Sequence, residues 1–179
     1  MTFLAYNSRY VAPLLLPFAL VSCCSNQWIE FTPPDRAFVV SMPARPAQKE
    51  VHQNTPLMNI KVTEYAITTN EITFAVHFTD YPAAMIAAST PDKMLDPGID
   101  RMFASYPTAR KESIKTVLRG FPARSFSIDN PDTGYTAVGR SCLIGQRIYV
   151  IQVIRPSRIS AKQEIDRFME SFRIEKKIN

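Results

Sequence analysis

Glycine is scarce in this chain, with five in 179 residues. That leaves little room for a phosphate-cradling loop, and no Gly-x-Ser-x-Gly nucleophile elbow occurs, so nucleotide and serine-hydrolase chemistry have no motif to rest on. Histidine is scarcer still: His52 and His77 are the only two, and neither stands in a metal-ligand spacing, so neither a metal nor a cofactor is expected. The three cysteines, Cys23, Cys24 and Cys142, are too few for a disulfide framework, and stability must come from a core. A Cys24 to Cys142 bridge stays open beside the reading of Cys142 as a buried thiol within a strand. Basic residues outnumber acidic ones by 21 to 16, a net charge of +5. They are scattered, however (Arg36, Arg45, Lys61, Arg119, Arg140 and Arg155 stand apart), and no stripe suited to a phosphate backbone forms, so nucleic acid is not an expected partner. Asp80, Asp129 and Asp132 fall in turns, where capping of backbone groups is the ordinary role. No catalytic constellation is visible, and the chain is expected not to be an enzyme.

What is present begins at the N-terminus. One basic residue, Arg9, precedes an apolar run from Tyr10 to Val21 and then small residues, the layout of a secretory signal. A helix over that run would rise only about 18 Å against roughly 30 Å of hydrocarbon, and Pro13 and Pro17 interrupt it, which disfavours a permanent span. Leu20-Val21-Ser22-Cys23 resembles the bacterial lipobox. The resemblance implies cleavage before Cys23 and lipid on its sulfur, with palmitate among the acyl chains; an ordinary signal peptide with a chance cysteine is the alternative. Because residue 24 is not Asp, the anchored chain is expected in the outer membrane, facing the periplasm, if the host is Gram-negative. The expected organisation is a signal peptide at 1–22, a lipidated tether at 23–27, one domain at 28–175 and a tail at 176–179.

Within the domain, Trp28–Phe31 and Ala37–Met42 flank turn residues and predict a hairpin; 46–56 reads as an exposed loop, and 57–68 as a long strand. Ile72, Phe74, Val76 and Phe78 alternate with Thr73, Ala75, His77 and Thr79, a strand that buries one face and leaves His77 on the other. Thr90-Pro91 starts a helix whose stripe is Leu95, Ile99, Met102, Phe103 and Tyr106, with a break expected at Pro97. Strands follow at about 112–119, 121–129, 135–144 and 147–154; the last is apolar enough to be central. Ser160 and Gln163 form a capping-box pattern ahead of a closing helix striped by Ile165, Phe168, Met169 and Phe172. The order predicts an α+β fold, an antiparallel sheet flanked by helices.

One juxtaposition bears on binding. If the loop 130–134 joins its strands symmetrically, Arg124 faces Arg140. Two like charges so placed call for a carboxylate between them, either an internal one or one belonging to a bound anion or partner. A shift of one residue in register removes the pairing.

In order along the chain stand Phe38-Val39-Val40-Ser41-Met42-Pro43, Asp80-Tyr81-Pro82, Gly120-Phe121-Pro122-Ala123-Arg124-Ser125-Phe126, Leu143-Ile144-Gly145-Gln146-Arg147-Ile148-Tyr149 and Arg167-Phe168-Met169-Glu170-Ser171-Phe172. Taken together they resemble the PsbP-like group of small exported bacterial domains over about residues 28–175. That resemblance implies an α/β/α sandwich and a non-catalytic binding or assembly role on an envelope or membrane protein complex. The rival expectation is a carrier or sensor of a small-molecule ligand in a pocket between sheet and helices.

Overall fold

Strands make up about half of the described residues, and short turns decide which of them meet. The computed structural model describes residues 28–54 and 59–175; the expected leader, the Cys23 tether and the tail lie outside the described residues. The elements are β1 (Ile29–Phe31), β2 (Phe38–Met42), β3 (Ala47–Asn54), β4 (Asn59–Thr69), β5 (Ile72–Asp80), α1 (Ala83–Ala87), α2 (Pro91–Ala104), β6 (Arg110–Leu118), β7 (Phe121–Asn130), β8 (Tyr135–Ile144), β9 (Arg147–Pro156), α3 (Lys162–Ser171) and β10 (Arg173–Ile174). Seven strands form one antiparallel sheet in the order β3-β4-β5-β9-β8-β7-β6, and β1-β2-β10 form a separate small sheet. The expected α+β architecture is present, with β9 at the centre of the large sheet as its apolar run demands.

Two tight hairpins fix the outer registers. Arg119 and Gly120 both adopt positive φ (51° and 88°), as do Asn70 and Glu71 (49° and 66°), the backbone that matches the twist of paired strands. Glu71 is an unfavourable residue there, and its ion pair with Arg158 at 2.7 Å helps hold it.

The two faces of the sheet bury different things. One face carries Tyr65, Phe74, Val76, Tyr149, Ile151 and Val153 and packs against Phe38, Phe168 and Phe172 from the small sheet and the α3 end. Ring pairs 5.4 to 5.9 Å apart link Phe38, Tyr149, Phe172, Phe74 and Phe168, a dense aromatic core. Arg119 donates to the carbonyls of Phe172 (2.9 Å) and Glu170 (2.8 Å), tying the β6–β7 turn to the C-terminal end of α3, where a cation is favoured. On the opposite face, Leu143 and Ile148 meet Leu95 of α2.

Four expectations are corrected. Residues 47–54 are the edge strand β3 and not a loop; they pair with β4 in unbroken register although their polar sequence gives no alternation to read. His52 therefore sits on a strand, opposite Lys61. Helix α2 runs through Pro97 without a break, because buried Leu95 and Ile99 anchor it on both sides of the proline. Ala161, not Ser160, occupies the α3 N-cap, and no side chain caps it; Ala161 is 2% exposed, so packing holds this end. Lastly, β7 and β8 pair one residue out of the symmetric register, with Asn130 opposite Tyr135. The turn closes on Asn130, whose carbonyl accepts from Gly134 N–H (2.9 Å) and whose side chain accepts from Asp132 N–H (3.1 Å), leaving four residues in the loop.

Candidate functional site

Helix α2 is placed by local rules and then bolted down. Thr90 caps it by accepting from the Lys93 N–H at 3.3 Å, and Pro91 occupies the first turn. Asp92 and Asp96, one turn apart, both receive the guanidinium of Arg124, whose Nε lies 2.7 Å from Asp96. Arg124 is 4% exposed. Burial works against its charge, and the bonds to Asp96 and Asp92 outweigh that, so its pKa stands above the ordinary arginine value. Asp92 in turn is held below the usual carboxylate range by Lys115, at 2.7 Å, and by Arg124.

Because α2 packs over β7 and β8, it leaves the β4–β5–β9 part of the same sheet face uncovered. There a groove of about 380 Å³ opens between helix and sheet. Val62, Ile148 and Val150 form its sheet wall; Leu95, Gly98 and Met102 form its helix wall. Its lining also includes His77 of β5 and Gln152 of β9. The imidazole Nδ1 lies 3.1 Å from Glu64 of β4, and Nε2 lies 2.8 Å from the Gln152 amide nitrogen of β9. One tautomer satisfies both contacts: Nδ1–H donates to the carboxylate, and Nε2 accepts from the Gln152 amide. Burial lowers the His77 pKa, and Glu64 pulls it back only in part, so the ring is neutral at pH 7. At the rim, burial raises the Tyr81 phenol and the nearby Arg101 cation opposes the shift.

This arrangement suits binding. Apolar walls with a few fixed polar groups on the floor describe a small-molecule site. Both nitrogens of the His77 ring are engaged, one by Glu64 and the other by Gln152, which fixes the orientation of the imidazole in the groove. Among the described residues no group of three His, Cys, Asp or Glu side chains could hold a metal ion.

The residues singled out in the sequence fall elsewhere. Arg124 faces Ser141, and Arg140 faces Ser125, so the two arginines lie on opposite faces of the sheet and form no joint anion site. Each has its own internal carboxylate: Asp92 and Asp96 for Arg124, and Glu170 of α3 at 2.8 Å for Arg140. Cys23 lies outside the described residues. Cys142 is fully buried on β8, and burial pushes its thiol up to about 12. Asp80 does not cap a turn; it forms a two-bond pair with Arg147 (2.6 and 2.8 Å), which also binds Asp35 at 2.9 Å and stacks over the Phe78 ring. Burial opposes the Arg147 charge, and these carboxylates raise its pKa regardless. That cluster clasps the small sheet to the end of the large one.

Strand alternation put His77 off the core face, but nothing local says that β5 pairs with β9, which is what delivers Gln152 to it. No helix among the described residues is long and apolar enough to cross a membrane. Compared with protein-family models and with curated proteins, the chain matches none.

Proposed function

We propose that this chain is a membrane-tethered, non-catalytic binding domain with a PsbP-like sandwich, and that its working site is the groove between α2 and the sheet, which takes a small amphipathic ligand. The observation that carries the reading is the groove itself: about 380 Å³ lined by apolar side chains, with His77 and Gln152 among its polar groups and Glu64 holding the His77 ring. Lipid on Cys23 would hold the groove close to a bilayer, where amphipathic molecules concentrate and where an envelope or membrane protein could give or receive the ligand. The sequence support for the tether is the Leu20-Val21-Ser22-Cys23 motif behind an apolar leader.

Two experiments test the two parts. Titration of the intact chain with anilinonaphthalene sulfonate is expected to show one saturable site that Val150→Lys abolishes by placing an ammonium group against the apolar wall. Unchanged binding in that variant removes the groove from consideration. For the tether, palmitate label is expected in the wild type and absent in Cys23→Ala; equal labelling of both refutes it.

A further inference from the structure

Strand β6 is an edge of the large sheet, nine residues long and without proline, and it exposes Ile114 (55%) and Val117 (66%). Edges of this length are ordinarily guarded by charged side chains that stand in the way of a second strand. Here the two lysines of β6 are drawn back over the sheet. Lys115 pairs with Asp92 at 2.7 Å, and Lys111 donates to the Phe103 carbonyl at 3.2 Å. The backbone edge is left open.

We propose that β6 pairs antiparallel with β6 of a second copy, about a two-fold axis at Ile114, joining the two sheets into one. An axis perpendicular to the sheet must place one residue opposite itself, so only registers centred on a residue qualify. Centring on Ser113 sets Lys111 against Lys115; centring on Lys115 sets that lysine against its own copy; both oppose like charges. Centring on Ile114 sets Ile114 against Ile114, Ser113 against Lys115, Glu112 against Thr116 and Lys111 against Val117. It opposes no like charges. It also pairs the strand from end to end, because Ile114 is the midpoint of Arg110–Leu118.

The helices do not obstruct this. Helix α2 lies over β7 and β8, so with strands spaced roughly 4.8 Å apart its axis and that of its copy stand about 19 Å from each other, more than one helix diameter. The other edge, β3, exposes Val51 at only 37%. An edge-to-edge contact is small, so the dimer is weak and concentration-dependent.

The test is sedimentation velocity of the intact chain, under reducing conditions, from about 10 μM to 1 mM. The wild type is expected to shift toward dimer, with β6 amides gaining protection from hydrogen exchange as concentration rises. Ile114→Lys and Ile114→Glu, each alone, are expected to weaken self-association about fivefold or more by opposing like charges, while an equimolar mixture of the two recovers it. A monomeric wild type at the highest concentration overturns the proposal. So does a mixture that stays monomeric, or a dimer abolished by Val51→Lys and indifferent to Ile114→Lys.

Discussion

Substituting Gly98 by leucine should move stability and binding in opposite directions. Gly98 lies within α2 and lines the groove, and a Cβ built on it meets nothing within 4 Å. The backbone there is helical, so replacing glycine by a good helix former is worth about 0.7 kcal/mol. For a domain of this size that raises Tm by roughly 2 °C. The new side chain starts from the groove wall that Gly98 forms. If it displaces two or three ligand carbons at about 0.8 kcal/mol each, binding weakens by about 2 kcal/mol, on the order of 30-fold. Calorimetry and anilinonaphthalene sulfonate titration on the same samples read the two effects. A variant with raised Tm and wild-type affinity would show that ligands bind elsewhere; a variant with lowered Tm would show that the helix cannot take a side chain at this point.

Replacing Arg124 by methionine keeps an unbranched apolar stem and removes the guanidinium charge; a loss of about 1–3 kcal/mol in urea unfolding is expected, and Asp96→Asn, whose carboxylate is half in water, should cost less. The folded pKa of His77 lies below its unfolded value, so the native state holds fewer protons: stability contributed by the neutral ring is present above pH 6.5 and falls as pH drops toward the folded pKa. Urea midpoints at pH 7.5 and 5.5 should therefore differ more in the wild type than in His77→Gln, and equal differences would remove His77 as the source. Gly139→Ala would set a methyl 2.4 Å from the Phe126 ring and 2.6 Å from the Ile151 carbonyl, and about 1–3 kcal/mol of destabilisation is expected by calorimetry.

Where a residue's environment follows from its own element, the sequence was informative: β5 and the apolar stripe of α3 are legible as periodicity, and β9 as a run of apolar residues. Legibility ended where partners decide. β3 is a strand because β4 offers it a ladder, not because AQKEVHQN alternates. Pro97 stays inside α2 because packing at Leu95 and Ile99 offsets what the proline costs locally. The Arg124–Arg140 pairing failed on one residue of turn length, since a shift of one exchanges the faces of a strand. The groove was the hardest to foresee. Its histidine and glutamine, and the glutamate that holds the histidine, come from three strands, and its apolar walls read in sequence as ordinary core.

Strand β9 sits between β5 and β8, so the halves of the large sheet are joined only when Ile72–Asp80 meets Arg147–Pro156, with two helices and three strands spelled out in between. A ribosome must therefore release nearly the whole domain before that seam can close, and until then β3-β4-β5 is a meander without its central neighbour. Such a chain is slow to commit. Under the export proposed above, that delay would keep the chain threadable through a translocation pore, because the contact that completes the sheet is among the last that synthesis makes available.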